Sequence, residues 1–221
     1  MRVLALLALA LAPMQDDVVA QRAAEWEAAV AEVEAQPEPE HPTLAQKVAR
    51  LVALDEVTRQ HMWRADDPAL APDQQRALGL KIGTRMAEID AANTAALKLL
   101  LPADGWFRNS RDGRQVTHGA WLIAQHSPDN AFQIGVIGAM GKRLNAGDVD
   151  AMDFALITDR VLVRQGGLQV FGSQAGCIQG RLAILPITVP DKVDERRARI
   201  GWAKTLAETK GDLEIGKPCA L

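Results

Sequence analysis

Most residues that would announce a chemistry are scarce in this chain or lack the needed spacing. Its 221 residues hold two cysteines, Cys177 and Cys219, neither in a CxxC nor beside a histidine, so neither reads as a catalytic thiol. They can form one disulfide or stay as two thiols. The four histidines include no HExxH, and His118 and His126 lie two helical turns apart, too far to chelate one metal easily. GxSxG, GxGxxG and Walker patterns are missing, which removes the ordinary nucleophile elbow and the common nucleotide cradles. No metal and no cofactor is implied. An excess of one charge is absent too. Lys and Arg number 25 against 28 Asp and Glu, for a net charge of -3. No basic stripe marks a nucleic-acid partner. The densest basic run, Arg196, Arg197 and Arg199, follows Asp191, Asp194 and Glu195 and reads as a solvated helix face. Tyrosine is absent beside five tryptophans, a bias that points to no function.

The chain also lacks an apolar stretch of the roughly 20 residues that a membrane helix needs. Its apolar run after Arg2 covers residues 3–12 only. A charged start followed by a run of this length is a signal-peptide pattern, with Ala8-Leu9-Ala10 as a small-x-small cleavage site. The expectation is a periplasmic or secreted protein with no integral membrane segment after cleavage.

What is present is mainly helical periodicity. Residues 16–35 look helical. Residues 36–42 hold three prolines and two glutamates and read as a stiff linker. Residues 13–42 are therefore expected to be a helical segment plus linker, and 43–221 a single mainly helical domain. Thr43 can cap a helix to about residue 64, Pro72 starts one through 101, and another fills 116–126. Pro128-Asp129 can open the next, and Asp148 can cap one ending near Arg160. Residues 161–164 and 168–171, around Gln165-Gly166-Gly167, read as strand, turn and strand, with 181–187 as a third strand. The fold class is mainly α, with a small C-terminal antiparallel hairpin or three-stranded element.

Against this periodicity, polar residues sit where apolar ones belong. At 100° per residue, Asp55 falls roughly 20° from Leu44 and from Met62, and Asn93 roughly 20° from Ile82. Arg59 is one turn from Asp55, the spacing of an ion pair. Gln125 and His126 close an apolar run, and Asp159 shares a face with Met152 and Leu156. Burying such groups is costly unless they bond to one another or to a ligand. One internal polar cluster is the expectation.

Several short stretches also carry a resemblance. Gly105-Trp106, Trp121-Leu122-Ile123-x-Gln125-His126, Phe132-Gln133, Asp159-Arg160-Val161, Gly167-x-Gln169-x-x-Gly172-x-Gln174 and Val193-Asp194-x-Arg196-Arg197 resemble a bacterial domain family of unknown function, over about residues 50–202. Phe107 departs from its pattern, which has proline there, as do Phe171 and Ser173, where it has Tyr and Thr. The resemblance implies Asp55, Arg59, Asn93, Gln125, His126, Asp159, Arg160, Gln169, Gln174 and Arg197 as the functional set. It implies no activity. The hairpin is expected to bring Gln169 and Gln174 near His126 and Asp159. Amides and arginines without a nucleophile suit a site for a small polar ligand or cell-envelope fragment. A hydrolase with His126 as general base oriented by Asp159 is the first alternative, and a structural protein with a buried polar network the second.

Overall fold

The computed structural model describes residues 12–60 and 69–219, with side chains of the first helix from Val18 onward. The expected signal peptide lies outside the described residues, except for Ala12. Met62 of the first apolar stripe lies outside them too. The architecture is mainly helical with a small antiparallel hairpin near the C-terminus. No helix among the described residues is long and apolar enough to cross a membrane. The chain forms two compact units, Met1–Ala96 and Leu97–Leu221.

The first unit holds α1 (Ala12–Glu34), α2 (Leu44–Gln60) and most of α3 (Pro72–Leu100). Its core gathers Trp26 and Val30 of α1 with Leu78, Ile82 and Ile89 of α3, and Leu54 and Val57 pack against them. The Trp26 indole N–H donates to the Thr58 carbonyl at 3.1 Å, so the largest core side chain leaves no buried donor unpaired. Thr43 starts α2 with a capping box: its hydroxyl accepts from the Gln46 N–H, and its own N–H donates to the Gln46 side chain. The proline-rich segment is fastened rather than loose. The Arg50 guanidinium donates to the Val33, Glu34 and Gln36 carbonyls, which lie at or just past the end of α1, and pairs with Glu38.

The second unit is built on α5 (Arg114–His126), α6 (Asn130–Gly141) and α7 (Ala151–Arg164), which pack on one another. The short α4 (Asn109–Asp112) precedes them. Trp106 and Phe107 are buried in edge contact at 5.7 Å. Asp129 caps α6 as expected from its position. The cap of α7 is Asp150 and not Asp148, whose carboxylate instead takes the Ser110 N–H and hydroxyl and so holds α4.

The strand reading of residues 161–171 is corrected. Residues 161–164 are the last turn of α7. They are rich in β-formers, yet Val161 continues the buried stripe of Asp153 and Ile157, and burial outweighs intrinsic propensity. The helix stops where Gly166 takes φ 76°. Gly166 N–H then donates to the Val163 carbonyl and Gly167 N–H to that of Leu162, the two bonds of a Schellman motif. The strands are β1 (Ala175–Ile178) and β2 (Arg181–Ile184), paired antiparallel. Beyond them lie α8 (Val193–Arg199) and α9 (Leu206–Asp212). The C-terminal tail then returns along β2. Leu182 N–H donates to the Lys217 carbonyl and Gly216 N–H to that of Leu182. A disulfide joins Cys177 to Cys219.

Candidate functional site

In the first unit the Arg59 guanidinium bridges two carboxylates. It reaches Asp55 at 2.7 Å and both Asp90 oxygens at 3.0 and 2.9 Å. Asn93 donates to the Leu51 carbonyl at 3.2 Å. The Arg59–Asp90 and Asn93–Leu51 bonds join α2 to α3.

In the second unit a loop between α7 and β1 collects most of the remaining candidates. Asp159 is fully buried, and its two oxygens accept from the backbone N–H groups of Val170, Phe171 and Ser173 at 2.7 to 3.2 Å. Arg197 reads the same loop from its carbonyl side. Its guanidinium donates to the Phe171 and Gly172 carbonyls, to that of Lys204 and to the Thr209 hydroxyl, and lies 4.0 Å over the Trp202 ring. Gln169 closes the loop on itself. Its amide donates to the Gln174 and Leu185 carbonyls and accepts the Gln174 N–H at 2.6 Å. Gly172 sits at φ 66°, a backbone conformation that favours glycine, and a Cβ there would push the ends of the Ile187 and Leu206 side chains aside. The spacing Gly-x-Gln-x-x-Gly-x-Gln thus corresponds to a polar clamp, with an anion on the loop's donors and a cation on its acceptors.

The amide of Gln133 on α6 donates to the last carbonyls of α5, those of Ala124 and Gln125, at 3.0 Å each, and Arg164 donates to its oxygen. Gln125 thus takes part through its backbone. His126, the expected general base, is the last residue of α5 and half-buried. Arg160 follows Asp159 on α7.

A family model of unknown function, DUF6624, matches residues 42–213. The chain belongs to this family. No curated protein and no solved structure matches it. The DUF6624 match begins where the proline segment ends and ends just after α9, so it takes in the whole clamp and leaves out α1.

Within the DUF6624 region the structure also holds a histidine–carboxylate pair outside the expected set. His118 Nδ1 of α5 lies 2.9 Å from Asp153 Oδ2 of α7. The imidazole is exposed while the carboxylate is 4 % exposed, and the ring stacks on Trp121 with centroids 5.0 Å apart. The other carboxylate oxygen of Asp153 and the Trp121 indole N–H are buried without hydrogen-bond partners among the described residues. Burial raises the Asp153 pKa from 3.8 to about 6, against the opposing pull of His118. One cue was available: Asp153 falls on the Ile157–Val161 stripe, the same anomaly that marked Asp55. Its partner, 35 residues earlier, was not readable without the packing of α5 on α7.

The raised pKa makes a stability prediction. Between pH 4 and 6 the folded state holds a proton on Asp153 that the unfolded chain has released, so this group's contribution falls as pH rises through that window. The rise from 3.8 to about 6 bounds the loss at about 3 kcal/mol, reached above pH 6. Asp153→Asn removes that cost. Its melting temperature relative to wild type is therefore expected to rise from pH 4 to pH 7, and a difference independent of pH would refute the assignment.

Proposed function

We propose that this DUF6624 protein is an exported hydrolase whose acid–base centre is His118 positioned by Asp153. The observation that carries the reading is an exposed imidazole whose Nδ1 is held by a buried carboxylate. Such a bond fixes the proton on Nδ1 and leaves Nε2 as the basic nitrogen. Nε2 takes a proton from water as the water oxygen bonds to a carbonyl carbon, the ionised Asp153 stabilises the imidazolium that forms, and that proton passes to the leaving oxygen as its bond to the carbon breaks. Export is supported by the apolar run of residues 3–12 and by a disulfide of the kind that persists in oxidising compartments. The binding-module reading asks more of the same chain. It needs polar atoms of Asp159, Gln169 and Arg197 that these residues already spend on backbone and on Thr209.

The test is hydrolysis of p-nitrophenyl acetate by the full chain, compared with His118→Asn and Asp153→Asn. Removing a general base costs on the order of a hundredfold. His118→Asn is expected to fall by that amount with its melting temperature unchanged. The wild-type rate is expected to drop as pH falls through about 6, where Asp153 protonates, and Asp153→Asn to be slower than wild type above that pH, where the ionised carboxylate holds the imidazole. A wild-type rate no greater than that of His118→Asn sinks the proposal.

A further inference from the structure

One face of the His118 imidazole is covered. The Trp121 ring stacks on it with centroids 5.0 Å apart and planes 29° from parallel. We propose that Trp121 is a positioning residue of the acid–base centre: its indole fixes the plane of the His118 ring and stabilises the imidazolium formed when Nε2 takes a proton. The inference rests on the hydrolase reading above and names what that site uses besides Asp153.

The contact follows from the helix. His118 and Trp121 are three residues apart on α5, so they are neighbours on one face. A long helical side chain leans back over the turn before its own Cα, which here carries His118. The indole is 5 % exposed and is held by its burial, whereas the imidazole is 54 % exposed and depends on its neighbours. Two restraints then act on one ring. The 2.9 Å contact with Asp153 fixes where Nδ1 sits but leaves the ring free to turn about that bond. The stack removes the turn, and it leaves the other face of the imidazole open.

Packing alone does not ask for tryptophan here. Its indole N–H is buried without a hydrogen-bond partner among the described residues, a cost that phenylalanine or leucine would not carry. What tryptophan offers over both is the most electron-rich face, which attracts a cation within about 6 Å of the ring centroid. The surrounding charges fit that use. Asp150 of α7 and Arg114 of α5, whose charges also reach Asp153, are paired with each other. That leaves Asp153 and the indole face to stabilise a charge on His118.

The first readout needs no substrate. A cation lying on an excited indole quenches its emission, and a neutral ring does so far less. Tryptophan emission of the full chain is therefore expected to fall as the buffer is acidified, with a component missing from both His118→Asn and Trp121→Phe. The second readout is p-nitrophenyl acetate hydrolysis with kcat and KM separated. Trp121→Leu is expected to lower kcat roughly tenfold and Trp121→Phe by less, with KM unchanged, in the order in which the three side chains hold a cation. A purely structural tryptophan would make activity follow the melting temperature instead. Trp121→Phe keeps a flat ring in the core, so it decides the matter if Trp121→Leu does not fold. A Trp121 component of the quench that survives in His118→Asn, or a kcat in Trp121→Phe equal to wild type, overturns the proposal. Hydrolysis that does not depend on His118 at all overturns the hydrolase reading instead, and the quench then decides the stack by itself.

Discussion

Asp159→Ala is expected to destabilise the protein by about 4 kcal/mol or more, a size that few single substitutions reach. Three backbone N–H groups converge on this carboxylate. A hydrogen bond to a charged acceptor is worth roughly 1.5–3 kcal/mol, and a buried donor left unpaired costs roughly 1–3 kcal/mol. The loss does not stop at the loop's donors. Arg197, fully buried, holds the Phe171 and Gly172 carbonyls of the same loop, and Asp159 is one of the two carboxylates whose charge offsets its burial. Removing the anion frees the loop and leaves a buried cation less compensated. Asp159→Asn should cost less, because one oxygen remains for the Val170 and Phe171 donors while its amide faces that of Ser173. Urea unfolding measures the effect, and amide exchange at residues 170, 171 and 173 locates it. A midpoint within error of wild type would show that the loop does not depend on the carboxylate. The same substitution separates scaffold from chemistry, because a catalytic Asp159 would lose activity while the protein kept its midpoint.

The starts of α2 and α6 and the polar intrusions were legible because both are local. Thr43 and Asp129 carry cap chemistry within three residues, and Asp55 and Asn93 stand out on a helical wheel whatever the tertiary structure. Residues 161–171 mislead because β-branched composition competes with a helical stripe whose buried partners lie elsewhere in the chain. Gly166 was the available cue, since a glycine after a periodic run ends a helix as readily as it opens a hairpin turn. Four of the ten expected residues come together around one loop, without their roles being readable. Asp159, Gln169, Gln174 and Arg197 do meet, but the question of what they hold turns on backbone N–H and carbonyl groups, which no side-chain pattern displays. The His118–Asp153 pair fails differently. An exposed histidine is unremarkable on a wheel, and Asp153 acquires its raised pKa only from burial in the packed unit.

Reduction of the Cys177–Cys219 disulfide is expected to lower stability by about 4 kcal/mol at most, the chain-entropy value for cysteines 42 residues apart. The magnitude follows from what the closed loop contains. Between the two cysteines lie β2, α8 and α9, and with them Arg197, so the link restricts the unfolded positions of one half of the clamp relative to β1. In the folded state it adds little that is not already held, because the tail bonds to β2 through Leu182, Gly216 and Lys217, and Cys219 N–H donates to the Gly180 carbonyl. Two outcomes follow from the same bond network. If these tail bonds and the Arg197 contacts unfold together, reductant shifts the whole transition by the full amount. If the tail frays first, exchange speeds at the amides of residues 182, 216 and 219 while the main transition moves little. The Arg197 bonds to Lys204 and Thr209 connect the segment before the tail to the loop held by Asp159, which favours the cooperative outcome. Thermal unfolding of wild type and of the Cys177→Ser/Cys219→Ser double variant, with and without reductant, is the check. The wild type should fall to the variant's midpoint on reduction, and a midpoint indifferent to reductant would show that the link restrains neither state.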